Sequence, residues 1–189
     1  MSVTLLGNGR LFDLMSPSIG DMDLPTMAHA LSNICRYAGH TKRFYSVAEH
    51  CCRVASMVGQ KHKLCALMHD ATETFVSDIP SPIKDLFPEI RLLETSLWFA
   101  IGKRYPLPTS LPVAVHRADK EISLEESAYL LPRMLSPSEL GIKWVHKVPM
   151  TARETTLGDF GWPPEEAKKR WLAAVKLELG RLTKNASAG

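Results

Sequence analysis

A mainly α-helical fold is predicted for this chain by three observations: apolar residues recur at three- and four-residue spacing, prolines fall between the periodic segments, and the composition is ordinary for a globular protein. With 189 residues, 45% of them hydrophobic and 23% charged, it is long enough to bury a real core and shows no bias toward disorder. The 13 prolines are spread as punctuation and do not gather into a linker. With no internal repeat, this predicts one domain over residues 1–189, with a core at about 26–132 and a C-terminal helix at about 163–184.

The first stretch, 3–25, mixes Gly, Asp, Ser and Pro with short apolar pieces and is expected to be an irregular arm, with a small hairpin around Gly7 to Gly9. Thr26 is positioned to cap a helix whose stripe is Met27, Ala30, Leu31 and Ile34 and which ends near Gly39, leaving Arg36 near its C-terminus. Ser46 and Glu49 form the S-x-x-E pattern of a capping box, opening a helix that carries His50, Val54 and Met57 toward Gly59.

The next helix is expected from Lys61 to Val76, with Leu64, Leu67, Met68, Ala71 and Phe75 facing inward and His69-Asp70 midway along it. Asp78-Ile79-Pro80-Ser81-Pro82 then breaks it into a rigid loop, because each proline removes a backbone donor. Further helices fit Pro88 to Tyr105, Leu111 to Leu131 and Pro163 to Thr183, and Lys143 to Pro149 reads as a short strand or extended loop. In the last helix Ala167, Trp171, Ala174, Val175 and Leu179 form a packing stripe.

A formal charge of +3 and a pI near 8.7 do not by themselves imply nucleic-acid binding, and they suit small anionic substrates. Cys35, Cys51, Cys52 and Cys65 contain no C-x-x-C pair, so neither a cysteine zinc finger nor a disulfide framework is expected, and a reducing cytosol is the simplest home. The opening MSVTLLGNGRLFDLM lacks a signal-peptide pattern, and no apolar run approaches the roughly 18 residues that span a bilayer. No membrane association is expected.

The chemistry concentrates in His50, His69-Asp70 and Asp119, which offer two imidazole nitrogens and two carboxylates from three helices. Zinc, cobalt, manganese, iron and nickel all accept such N/O sets, and a mixed site leaves positions open for water and substrate. A charged dipeptide interrupting an apolar stripe points the same way, because burying Asp70 uncompensated costs several kcal/mol. Glu73, four residues after His69 and three after Asp70, shares their helical face and is the candidate general base.

The segments EHCCRVA, LMHDATETFVSDIPSPIK and HRADKEISLEE resemble the H…HD…D pattern of HD-domain phosphohydrolases, over most of the chain. The run AHALSNICRYAGHTKRFYSVAEH resembles the bacterial and phage subgroup containing phage dATP triphosphohydrolases, and more distantly the deoxyribonucleoside 5′-monophosphatases. This resemblance implies a helical HD bundle and one divalent transition metal held by His50, His69, Asp70 and Asp119. A weaker second ion is conceivable beside His116, although the extra histidines of binuclear relatives are missing. It further implies a homo-oligomer, dimer or hexamer, in a bacterial or phage-encoded setting.

Residue by residue, Arg36 and Lys84 match positions that contact substrate phosphates in relatives, and Asp78 matches an acidic residue near the attacking water or the sugar, with a helix-end cap as its alternative role. His40 and Lys42 either line a phosphate channel or hold backbone. Tyr37 and Pro82 are candidates for a flat slot that takes the base. Tyr37-Ala38-Gly39 is smaller than the tryptophan-containing stretch of phage relatives, which widens the expected substrate range beyond dATP. The expected activity is hydrolysis of a deoxynucleotide, first a dNTP with dATP preferred, releasing deoxynucleoside and triphosphate. The alternatives are a 5′-nucleotidase and a non-catalytic nucleotide-sensing domain.

Overall fold

The computed structural model describes residues 2–132 and 160–187, and their architecture is predominantly α-helical, as the periodicity predicts. The segment 143–149 lies outside the described residues. The N-terminal arm contains an antiparallel hairpin, β1 (Val3–Leu5) and β2 (Leu11–Asp13), with Val3 opposite Asp13 and Leu5 opposite Leu11. Phe12 is fully buried and stacks on Phe75 with ring centroids 4.2 Å apart, so the hairpin is anchored to the helical body.

Helix α1 (Leu24–Asn33) starts earlier and ends sooner than its stripe suggests. Its N-cap is Asp23, whose carboxylate accepts the Thr26 backbone N–H at 2.9 Å and the Thr26 hydroxyl at 2.8 Å; Thr26 is inside the helix. Pro25 occupies the first turn, where its missing N–H has no helical partner to lose. Beyond Asn33 the chain is extended: Cys35 bridges to Ser46, and the Arg36 N–H donates to the Tyr45 carbonyl at 2.9 Å. Arg36 therefore sits in a strand-like segment, not at a helix end. Tyr37, Ala38 and Gly39 follow with φ of 56°, 50° and 81°. Left-handed backbone at two non-glycine residues costs on the order of 1 kcal/mol each and persists only where other contacts hold it.

Helix α2 (Val47–Met57) opens at Ser46, whose Oγ accepts the Glu49 N–H at 3.1 Å. The Glu49 side chain does not reach back to complete the box; it turns to Arg53 and to the N–H groups of Gly161 and Trp162. The single helix expected over 61–76 is two, α3 (Lys63–Met68) and α4 (Glu73–Val76). Between them the hydrogen bonds shorten to three-residue steps, Ala71 to Met68, Glu73 to Asp70 and Phe75 to Thr72. Such tightening inside a helical run often marks a functional site, and here it falls on His69-Asp70. The stretch expected to be a rigid loop instead becomes α5 (Ser81–Leu86) after 77–80, because Pro82 fits a first helical turn. Helices α6 (Pro88–Arg104), α7 (Val113–Leu130) and α8 (Pro164–Ser187) follow their predicted spans closely.

Helix α2 is the axis of the molecule and packs against α1, α3, α7 and α8. Val47, Ala48, Cys51 and Val54 are fully buried on it, and so are Glu49 and His50. The α8 stripe closes the bundle through Ala167, Trp171 and Val175, and the Trp171 Nε1–H donates to the Leu67 carbonyl at 2.7 Å. Among the described residues no helix is long and apolar enough to cross a membrane.

Candidate metal centre

Three elements deliver the centre. His50 comes from the first turn of α2, His69 and Asp70 from the tightened turn after α3, and Asp119 from the second turn of α7. His50 Nε2 lies 3.2 Å from His69 Nε2, 3.1 Å from Asp119 Oδ1 and 3.6 Å from Asp70 Oδ2. His69 Nε2 lies 3.3 Å from Asp70 Oδ2 and 3.9 Å from Asp119 Oδ1. The two imidazoles are sealed from solvent, whereas the Asp70 and Asp119 side chains keep 21% and 34% of their exposure, so the centre opens on its carboxylate side.

The donor set fits a cation. Two ring nitrogens 3.2 Å apart cannot both be bare acceptors without repulsion, and a positive charge between them and the carboxylates removes the conflict. The surroundings are acidic in excess: among the described residues Asp70, Glu73, Asp78, Asp119 and Glu126 gather around the guanidinium of Arg36. Burial and Arg36 push the His50 imidazole down, but the carboxylates of Glu126 and Asp119 prevail and raise it to about 9. Burial likewise opposes ionisation of Asp119, yet hydrogen bonding and charge from His50, with His69 and Arg36 behind, hold it well below the usual carboxylate range. His50, His69 and Asp119 offer ligand atoms all within 4.8 Å of one another, and so do Cys51, His69 and Asp70. This group of His, Asp and Cys side chains could hold a metal ion.

Glu73 is 5% exposed, and its Oε2 has no hydrogen-bond partner among the described residues. Burial first, then the nearby Asp70 and Asp78, raise its carboxyl well above the ordinary value. Arg36 is held on three sides: Nη1 is 3.4 Å from Asp70 Oδ2, Nη2 donates to Ser123 Oγ at 3.4 Å, and Nε lies 3.2 Å from Glu126 Oε2 as an ion pair too oblique for a hydrogen bond. Asp78 accepts the Tyr37 backbone N–H at 3.1 Å, holding the left-handed turn. The Tyr37 hydroxyl donates toward the Ser123 carbonyl and Glu126, and its ring lies beneath the Arg36 guanidinium.

Lys84 pairs with Glu94, so its ammonium already has a partner. His40, Lys42, Pro82 and His116 are exposed and join neither ligand group. The four cysteines are free thiols, and Cys51 reaches the centre although it belongs to no cysteine motif.

Three residues of the centre lie outside the sequence-based expectations. Glu126 is fully buried and accepts His50 Nδ1 at 2.6 Å and the Tyr45 hydroxyl at 2.7 Å on Oε1. Its signal in the sequence is the spacing Asp119, Ser123, Glu126, which puts four- and seven-residue steps on one helical face. Tyr45 carries no comparable signal. Cys51 could have been found from its place next to His50.

No protein-family model matches this chain. It is similar to the uncharacterized protein YfdR of Escherichia coli strain K12, 42% identical over 119 residues that span 63% of this chain and 67% of that protein. It is also similar to the uncharacterized protein RCAP_rcc00048 of Rhodobacter capsulatus, 33% identical over 123 residues, 60% of this chain and 63% of the relative's length.

Proposed function

We propose that the chain, which belongs to the same family as YfdR of Escherichia coli, is a metal-dependent phosphohydrolase acting on deoxynucleotides, and first of all a dNTP triphosphohydrolase that prefers dATP. One observation carries the reading. Two imidazole nitrogens 3.2 Å apart each lie 3.1–3.9 Å from carboxylate oxygens of Asp70 and Asp119, the four residues coming from three elements, beside the Arg36 guanidinium and the buried Glu73, whose Oε2 has no hydrogen-bond partner among the described residues.

A divalent transition metal held by His50, His69, Asp70 and Asp119 would polarise a phosphoryl oxygen and acidify water at neutral pH. The chain's own residues supply the rest. Arg36, held between Asp70, Ser123 and Glu126, presents positive charge to the phosphate oxygens and exchanges its long Asp70 contact for them. Glu73 takes the proton of the attacking water. Asp78 keeps the turn after Arg36 in register through the Tyr37 N–H. Water adds at the α-phosphorus, the bond from phosphorus to the 5′ oxygen breaks, that oxygen takes up a proton, and deoxynucleoside and triphosphate leave. Lys84 meets substrate only by giving up Glu94, which makes Arg36 the main phosphate-binding group. Assembly as a dimer or hexamer belongs to the same proposal.

The test is a product assay with metal-loaded protein and an Asp70→Ala control, offering all four dNTPs and all four dNMPs and separating products by chromatography. Triphosphate and deoxynucleoside from dNTPs are expected, fastest from dATP, and absent in the control. Orthophosphate from dNMPs alone would make the protein a 5′-nucleotidase, and no turnover of either would leave nucleotide sensing.

A further inference from the structure

Glu126 stands behind the centre, outside both groups of ligand atoms. Its side chain has no exposure, and it meets four groups from distinct places: it accepts His50 Nδ1 at 2.6 Å, the Tyr45 hydroxyl at 2.7 Å and the Tyr37 hydroxyl at 3.2 Å, and it forms an ion pair with Arg36 Nε at 3.2 Å. A buried carboxylate that accepts from one imidazole nitrogen leaves the other nitrogen of that ring to face outward. In His50 the outward nitrogen is Nε2, the atom 3.1 Å from Asp119 and 3.2 Å from His69. His69 is set differently: its Nδ1 faces the Ala66 carbonyl at 2.8 Å, a neutral backbone group inside its own helical run. The two imidazoles of the centre are thus oriented by unlike partners, and only the His50 partner is ionic and shared with the arginine.

We propose that Glu126 is a positioning residue that assembles two parts of the site at once. It fixes the His50 ring so that Nε2 is the metal-binding nitrogen, and it holds Arg36 in place for an anionic phosphate. Its reach extends from α7 to α2 and to the left-handed turn 37–39, whose backbone strain is sustained in part by the Tyr37 hydroxyl bond to the same carboxylate. Tyr45 closes the fourth side and excludes water. This inference rests on the metal-binding reading above, and it adds that loss of one buried carboxylate outside the ligand set weakens metal and phosphate binding together.

The experiment loads the full chain with Co(II) alone and measures affinity by competition with a chromophoric chelator, together with the visible cobalt spectrum. Glu126→Gln is expected to weaken cobalt ten- to a hundredfold, the usual effect of removing such a partner, to change the cobalt bands, and to weaken binding of inorganic phosphate, read as the change phosphate makes to those bands. Asp23→Ala, which removes the cap of α1 and touches no group of the centre, is expected to lower the melting temperature while cobalt affinity and spectrum stay unchanged, which separates positioning from general loss of stability.

If Glu126→Gln does not fold, nitrogen-15 NMR of zinc-loaded wild type decides: His50 must carry its proton on Nδ1 and zinc on Nε2. A folded Glu126→Gln with wild-type cobalt affinity and spectrum, or zinc on Nδ1, overturns the proposal while leaving the metal centre standing. A wild type that takes up no cobalt overturns the metal-binding reading itself, and this inference with it.

Discussion

The carboxylate of Glu49 accepts the backbone N–H of Trp162 at 2.7 Å and that of Gly161 at 3.1 Å, tying the start of the C-terminal segment to the helix that carries His50. Arg53 completes the arrangement by pairing with Glu49 and lying over the rings of Phe160 and Trp162. Glu49→Ala takes the carboxylate from Arg53 and from the backbone N–H groups of Gly161 and Trp162, and the expected loss is about 3 kcal/mol, typical of breaking a buried pair. Urea denaturation measures it. A loss below about 1 kcal/mol would show that the segment docks through its aromatic rings alone.

Metal should stabilise the folded chain by mass action. After removal of metal with a chelator, zinc, cobalt or manganese at a hundred times its dissociation constant is expected to add about 2.7 kcal/mol. The gain should vanish in His69→Ala. Thermal melts across a metal titration check both, and zinc, cobalt and manganese all leaving the melting temperature unmoved would speak against the centre.

Glu73 is buried, and among the described residues its Oε2 has no hydrogen-bond partner, so it is a liability to folding that a general base can justify. Glu73→Gln is therefore expected to cut kcat by about 10²–10⁴ while the melting temperature stays level or rises. Parallel losses of activity and stability would instead mark Glu73 as a structural residue.

The cap of α1 gives a dependence on pH whose sign can be worked out. Burial alone would raise the Asp23 carboxyl, but hydrogen bonds from the Thr26 N–H, the Thr26 hydroxyl and Asn8 outweigh it and hold it below its ordinary value of 3.8. Because the folded value is the lower one, the cap's contribution is complete above the ordinary value and disappears as pH falls through the folded one. Asp23→Ala is expected to cost about 1 kcal/mol at pH 7 and progressively less in acid. Chemical denaturation of both proteins from pH 7 to pH 3 checks this, and a gap that stays constant would exclude the carboxylate as its source.

The convergent residues were legible because local patterns place them: Ser46 and Glu49 start α2 one residue from Val47 and so put His50 in its first turn, and His69-Asp70 interrupts an apolar stripe. Elsewhere tertiary contacts override the local pattern. The stripe over 61–76 is continuous, yet the backbone tightens after Met68, and nothing in the apolar spacing records that change. Thr26 looked like a cap, but Asp23 with Pro25 two residues on is the stronger start. Arg36 was placed at a helix end because Ile34 continues the stripe, whereas the bridge from Cys35 to Ser46 pulls the chain straight. Glu126 reaches His50 across 76 positions of sequence and Tyr45 across 81, so its meaning exists only after folding.

The stack of Phe12 on Phe75 gives the N-terminal hairpin an unexpected office. Phe75 belongs to α4, two residues from Glu73, so the hairpin is a wedge beneath the turn that aims this carboxylate. Cropping the first fifteen residues would spare His50, His69, Asp70 and Asp119 and still take the floor from under Glu73; under the proposed function, that leaves the metal ligands in place while the general base loses its support.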